Sequence, residues 1–291
     1  MKKLFALALA TLMVLSLMTG CGSKTTDETD YSTMTLEELK PLINTLTDGK
    51  LTMVTSPDFA PYEFYALDAE GKPSLAGFDI ALAHYIADML GLELEIIPMD
   101  FNGTIMELSN NKADIGMAGY SPDPKRAKSM DYTDVYYTGG QSFVTVKDKA
   151  DLFPDLAATN KAEYQIGAQI GSIQAKLAQE FSPESDIVTL GKVTDIIGEL
   201  LSGKLDGAYI ETVPAQSYAT SFPELAIVLD VPYEAEGSVI GVSKGNAPLL
   251  AAVNLCIKAA QDDGSLAKFV AEAIEQATGD IHEGLLETPA N

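Results

Sequence analysis

The chain has 291 residues and a formal net charge of −23, with 42 acidic residues against 19 basic ones. So acidic a surface keeps a protein soluble and excludes nucleic-acid binding, which needs a basic footprint. Two cysteines, two histidines and the lack of any CxxC or HExxH spacing exclude a zinc site, and neither metal nor cofactor is expected.

The first residues set the compartment. Lys2 and Lys3 precede an apolar run from Leu4 to Met18, broken only by Thr11 and Ser16. The run falls short of the about 20 apolar residues that span a membrane. A basic start, a short apolar core and small residues after it read as an export signal. Leu17-Met18-Thr19-Gly20-Cys21 resembles the bacterial lipobox, whose cysteine is lipidated and becomes the new N-terminus, with Met18 where Leu is usual. The alternative is an ordinary cleaved signal followed by a chance cysteine. The expectation is a signal peptide at 1–20 and an exported chain held on the cell membrane by lipid at Cys21, facing the extracellular side or a periplasm. Lipid on Cys21 leaves Cys256 unable to form a disulfide within the chain, and Cys256 reads as a buried thiol in a helix.

Residues 21–48 read as anchor, tether and one short helix. Gly22 to Asp30 is small, polar and acidic. Thr35-Leu36-Glu37-Glu38-Leu39 has the form of a capped helix start, Thr35 as N-cap and Glu38 at the capping-box position. Strands and helices alternate from about Gly49 to about Thr278, which makes the fold class α/β. Leu51–Thr55 is a strand, and 79–90 a helix with Ile80, Ala83, Ile86, Ala87 and Leu90 on one face and Gly91 as its stop. Leu92, Leu94 and Ile96 alternate with Glu93 and Glu95, as on an exposed edge strand. Helices are predicted over 104–110, 172–181, 194–201, 214–220, 247–262 and 265–277, and strands over 115–118, 165–168, 207–210, 227–229 and 239–242.

The stretch Glu107-Leu108-Ser109-Asn110-Asn111-Lys112-Ala113-Asp114 has an echo in Glu199-Leu200-Leu201-Ser202-Gly203-Lys204-Leu205-Asp206. Helix-turn-strand units converge on such sequences, but the echo also fits two lobes with matching parts. It places Gly119 and Glu211 at equivalent positions at the C-terminal end of a strand, the edge at which open α/β sheets bind ligands. Ser56 to Tyr62, Gly119 to Arg126, Gln169 to Gln174 and Glu211 all fall at strand ends. Together they offer what a free amino acid requires. A carboxylate needs a guanidinium fork and free N–H groups, which Arg126, Gly119, Ser121 and Ser172 can supply. An ammonium needs a buried negative acceptor, and Glu211 is the candidate. Phe59 and Phe101 can cover a side chain. Taken singly, Arg126 reads as a surface arginine beside Lys125 and Lys128, Glu211 as a partner for a surface lysine, and the two phenylalanines as core.

As an ordered set these segments resemble a known family. Thr55-Ser56-Pro57-Asp58-Phe59-Ala60-Pro61-Tyr62-Glu63-Phe64 and Gly77-Phe78-Asp79-Ile80-Ala81-Leu82-Ala83 are similar to the opening of the polar amino-acid-binding proteins of ATP-binding-cassette importers. Phe101-Asn102-Gly103, Asp114 to Gly119, Arg126-Ala127, Met130 to Thr133, Tyr136-Tyr137, Gly167 to Ser172 and Asp206 to Glu211 extend the likeness over about residues 50 to 275. The resemblance implies a two-lobed clamp of the type II periplasmic-binding-protein kind, each lobe a mixed sheet flanked by helices, joined by two hinge strands. Lobe 1 would take 49–138 and 236–278, lobe 2 with the hinges 139–235, and 279–291 would be a tail.

By motif position Arg126 would grip the ligand carboxylate, helped by Ser121 and N–H groups near Ser172. Gly119 and Glu211 would take the ammonium, while Phe59 and Phe101 would sandwich the side chain and Asp58, Ser56 and Gln169 would complete the set. Ser56 stands where several relatives have Asp, Glu211 where Asp is usual, and the terminal Trp-Phe pair is missing. The implied protein is a monomer that delivers a polar or cationic L-amino acid to a permease and its ATPase, without catalytic residues. The alternatives are a small-carboxylic-acid dehydratase on the same scaffold, with Asp58 or Glu211 as acid or base, and a ligand-sensing subunit of a receptor.

Overall fold

The computed structural model describes residues 29–67, 71–234 and 237–278, so the predicted signal peptide at 1–20, Cys21 and the predicted tail at 279–291 lie outside the described residues. The chain divides after Thr33 into two units. The described part of the first is one 3-10 turn, Tyr31–Thr33, in which Asp30 Oδ1 accepts from Ser32 N (3.1 Å) and Ser32 Oγ (2.6 Å). The second opens with α1 (Leu36–Leu39), whose Glu38 Oε2 accepts from Thr35 N (2.9 Å) and Thr35 Oγ1 (2.8 Å), the bond the capping-box spacing predicts.

Two five-stranded sheets follow, each the centre of a lobe. The first holds β1 (Lys50–Thr55), β4 (Glu93–Pro98), β5 (Ile115–Tyr120), β6 (Met130–Tyr132) and β12 (Val239–Ser243) in the order β4-β1-β5-β12-β6. The second holds β7 (Gln141–Val146), β8 (Gln165–Gln169), β9 (Asp186–Leu190), β10 (Gly207–Glu211) and β11 (Leu225–Val231) in the order β9-β8-β10-β7-β11. In both, the first three strands in that order run parallel, and the fourth is antiparallel to its neighbours on each side. The lobes therefore share one topology. A small hairpin, β2 (Phe64–Leu67) with β3 (Pro73–Ala76), extends the first.

The sequence echo marks this correspondence. Asp114, entering β5, accepts from Thr52 N of β1 at 2.8 Å and from Leu46 N at 2.8 Å. Asp206, entering β10, accepts from Gln165 N at the start of β8 at 2.9 Å. In each lobe the aspartate ties the entry of the third strand in that order to the backbone of the second.

Helices α2 (Phe78–Leu90), α3 (Phe101–Ser109), α7 (Ala247–Asp262) and α8 (Ser265–Thr278) serve lobe 1, and α4 (Ile173–Phe181), α5 (Val193–Leu201) and α6 (Thr212–Ser221) serve lobe 2. Helix α2 turns Ile80, Ala83, Ile86, Ala87 and Leu90 inward as the spacing predicts and ends on Gly91 in the left-handed region. Cys256 is buried in α7, and burial pushes its thiol up to about 12, so it packs as a hydrophobe. Helix α3 begins three residues before the predicted start, because Asp100 caps it by accepting from Gly103 N at 3.0 Å and so makes Phe101 its first residue. Strand β4 is an edge strand with exposed Glu93 and Glu95 flanking half-buried Leu94.

The chain crosses between sheets twice, after β6 and after β11. The crossings lie side by side: Tyr136 N donates to Ser238 O at 3.0 Å and Ser238 N to Tyr137 O at 2.7 Å. Two hydrogen-bonded strands joining two sheets of equal topology constitute a hinge.

Candidate functional site

The segments after the C-terminal ends of β1, β5, β8 and β10, together with Phe101 at the start of α3 after β4, deliver the residues that the sequence singled out, and all of them are buried. Arg126 opens a 3-10 turn, Arg126–Lys128, seven residues past Gly119. It is 8 % exposed, which rules out a surface role. Its Nε donates to Asp123 Oδ2 at 3.2 Å, and its Cζ lies 5.9 Å from the Phe101 ring centroid and 6.0 Å from that of Tyr120. Its Nη1 and Nη2 are buried without a protein acceptor. Asp123 also binds Lys176 of α4 in lobe 2. Burial works against its charge, but the Lys176 ammonium, the Lys125 N–H and Arg126 together bring its carboxyl down to about 2.

Glu211 ends β10 at 2 % exposure, too buried to pair with a lysine across the surface. Its Oε1 accepts from Tyr62 Oη of lobe 1 at 2.6 Å, and that hydroxyl shares a 2.9 Å bond with Ser238 Oγ of the hinge. Oε2 is buried without a partner. Burial pushes Glu211 up to about 8, against the Tyr62 hydrogen bond and with a further push from the charge of Asp79. A Cβ on Gly139 would stand 2.2 Å from Glu211 Oε1, so the hinge must be bare there.

Gly119 has φ +56°, and a Cβ on it would stand 2.6 Å from Phe59 Cε1. Its N–H donates to Asp79 Oδ2 at 3.3 Å, while Tyr136 Oη donates to Asp79 Oδ1 at 2.7 Å. Burial pushes Asp79 up to about 6. Glu63 is fully buried with no donor on either oxygen, and burial and then the Asp79 and Asp58 charges hold it well above the usual carboxylate range. Ser172 caps α4: its Oγ accepts from Ala175 N at 3.1 Å and donates to Gln169 O at 2.6 Å, so the other N–H groups of that first turn remain to face a ligand. Ser121 follows β5, also buried.

Asp58 Oδ1 accepts from Ser56 Oγ at 2.7 Å, and Oδ2 accepts from Val193 N at 2.6 Å and Gln169 Nε2 at 3.3 Å. Ser56, Asp58 and Gln169 thus bind one another first. Burial pushes Asp58 up to about 6, against the Ser56 and Val193 donors and the charge of Lys192.

Tyr62, Asp123, Lys176 and Ser238 went unread as site residues. Asp123 carried a local signal, an acid three residues before Arg126 in one short turn. Tyr62 and Ser238 carried none, being far from Glu211 in sequence.

Two lobes of one sheet topology on a two-stranded hinge, with a buried guanidinium fork and a buried carboxylate each missing a partner, define a clamp for a small zwitterion. The sequence comparisons agree. Residues 51–276 match the model of the bacterial extracellular solute-binding proteins, family 3. The chain is 34 % identical over 225 residues to the arginine-binding extracellular protein ArtP of Bacillus subtilis, covering 76 % of this chain and 84 % of that one. Among solved structures, the amino acid ABC transporter substrate-binding protein AbpA of Streptococcus pneumoniae, bound to L-arginine, aligns with a TM-score of 0.76 at 30 % identity, covering 84 % of this chain and all of that one. The ancestral amino acid-binding protein AncCDT-1, a precursor of cyclohexadienyl dehydratase, aligns with a TM-score of 0.70 at 30 % identity, over 83 % of this chain and 100 % of its own. The chain belongs to the bacterial extracellular solute-binding proteins of family 3, and it is the substrate-binding component of an importer of the ATP-binding-cassette type.

Proposed function

We propose that this clamp captures a free L-amino acid with a cationic side chain, arginine foremost, and hands it to a permease and its ATPase. One observation carries the amino-acid reading: Arg126 keeps Nη1 and Nη2, and Glu211 keeps Oε2, buried and without protein partners. A buried polar atom left unpaired costs about 1–3 kcal/mol, more if charged, so the pair is built to be completed. An α-carboxylate fits the fork and an α-ammonium fits Glu211. Ser121 and the N–H groups beside Ser172 assist the first, and the Gly119 carbonyl the second. Phe59 and Phe101 flank the ligand side chain, with Ser56, Asp58 and Gln169 at its edge.

The charge balance supports a cationic side chain. Asp58, Glu63, Asp79 and Glu211 are all buried around the cleft, whereas Arg126 already shares Asp123 with Lys176. A cation brought among such acids lowers the cost of their burial. The arginine in the relatives above points the same way. The clamp works as a monomer, exported and tethered by lipid at Cys21.

Catalysis is not part of this reading. Ser172 Oγ is committed to its cap and to Gln169 O, and His84 is exposed on α2, so among the described residues Ser172 has no histidine to act as its base.

A chain starting at Gly22, unfolded and refolded to strip carried-over ligand, is titrated calorimetrically with the common L-amino acids. Arginine or lysine binding at micromolar strength or tighter is the expected result. Heat from acidic or aliphatic amino acids alone would sink the cationic reading. Arg126→Ala leaves a buried carboxylate unpaired and should cost about 3–5 kcal/mol of binding, as other broken buried pairs do; unchanged affinity would overturn the site.

A further inference from the structure

Helices α3, α4 and α7 are each capped by the side chain that precedes them: Asp100 accepts from Gly103 N, Ser172 from Ala175 N and Asn246 from Leu249 N. Helix α5 is not. Its N-cap position holds Lys192, which makes no side-chain capping bond, and lysine has no acceptor to offer. The acceptor for its first N–H comes from the other lobe. Asp58, just beyond β1 in lobe 1, accepts from Val193 N at 2.6 Å through Oδ2.

The same oxygen accepts from Gln169 Nε2, at the end of β8 in lobe 2, at 3.3 Å. The backbone carbonyl of Asp58 accepts from Tyr218 Oη, on α6 of lobe 2, at 2.8 Å. Ser56 Oγ braces the carboxylate from its own lobe. One residue of lobe 1 therefore holds three groups on three different elements of lobe 2. None of the three bonds survives if the lobes part, and two of them, from Val193 N and Tyr218 Oη, come from groups outside the set that faces the ligand.

We propose that Asp58 is the closure latch of this clamp, a lobe 1 carboxylate that caps the lobe 2 helix α5 only when the lobes meet and so sets how long a bound amino acid is retained. It is a positioning residue. A carboxylate at a helix start makes a charge-assisted bond in a favourable dipole field. Because that bond forms after the ligand is seated, it acts on release and leaves first encounter alone. The inference rests on the reading that the clamp closes on an amino acid, and is independent of which one.

Stopped-flow mixing with L-arginine tests it on the Gly22 chain and its Asp58→Asn and Tyr218→Phe variants, each first shown to keep the wild-type melting temperature without ligand. Asp58→Asn should release arginine about tenfold faster or more, the equivalent of one charged hydrogen bond, with association within about twofold of wild type. Tyr218→Phe, which leaves the carboxylate in place, should speed release severalfold. Hydrogen exchange at the Val193 amide, under saturating arginine, should rise in Asp58→Asn, a change that a role confined to lobe 1 would not produce. Wild-type release rates in both variants would overturn the latch. So would slowed association with unchanged release, which would make Asp58 an encounter group for the ligand. A wild-type chain that ignores arginine would count against the ligand and not the latch, whose rates are then read with whichever amino acid gives calorimetric heat.

Discussion

Gly119 shows how narrowly single residues constrain this cleft. Its φ of +56° lies where a side chain is strained, and the Cβ it lacks would stand 2.6 Å from Cε1 of the Phe59 ring. Gly119→Ala therefore carries two penalties, about 1–2 kcal/mol of backbone strain and displacement of an aromatic wall of the site. The expected outcome is a lower urea midpoint together with an arginine affinity reduced by at least tenfold. Loss of stability with unchanged affinity would show that Phe59 does not line the ligand. Gly119 was singled out in the sequence for its place at a strand end; its contact with Phe59 was not legible, since 60 residues separate them.

At the scale of elements, the two lobes are held by the same device, and its weight can be measured in each. Asp114 and Asp206 each accept a backbone N–H from the middle one of the three parallel strands of their own sheet, and Asp114 accepts a second from Leu46. Hydrogen bonds to a charged acceptor contribute about 1.5–3 kcal/mol each way. Asp114→Ala, which strands two N–H groups, should lower unfolding free energy by roughly that amount or more, and Asp206→Ala, which also frees Lys149, by a similar one. Chemical denaturation checks both, and a loss below about 0.5 kcal/mol in either would remove the aspartate from the framework of that lobe.

The echo around these aspartates was readable because it repeats a local pattern, and so were α7 and α5, whose apolar spacing is regular. Strand β7 was not read. Gln141, Ser142, Phe143, Val144 and Thr145 are all buried, so no alternation marks the strand. Strand β9 and the β2–β3 hairpin are four or five residues long and half-exposed, with too little periodicity to separate them from loops. The site was legible as a set of strand ends, but the bonds that close it, Asp58 to Val193 and Glu211 to Tyr62, join residues more than a hundred positions apart.

Across the whole molecule, burial of carboxyls couples ligand binding to pH, with a sign that can be worked out. Glu211 stands at about 8, above its ordinary value of 4.5, because burial penalises its charge. An α-ammonium against Oε2 favours the charged form and lowers that pKa again. Binding near neutrality therefore expels a proton, and affinity should rise with pH up to about 8, by no more than tenfold per unit, then level off. Folding responds in the opposite sense. A carboxyl whose folded-state pKa is raised contributes its stability below about pH 4.5, and loses it as pH climbs through about 8. Without amino acid, thermal stability should thus decline from about pH 5 to 8, while the increment that arginine adds grows over the same window. Asp58 and Asp79, both near 6, join Glu211 at the lower end, and Glu63, also held up by burial, is common to the wild-type chain and Glu211→Gln, so the Glu211 share is read as their difference between pH 6.5 and 8. Titrating arginine at pH 7 in phosphate and in Tris separates the expelled proton from the binding heat, because the two buffers take it up with different enthalpies. The apparent heats should differ in the sense of release for the wild-type chain and by much less for Glu211→Gln, whose side chain has no proton to lose in this range. Equal heats in both buffers would mean that Glu211 is already ionised before the ligand arrives, and that the ammonium finds its charge elsewhere.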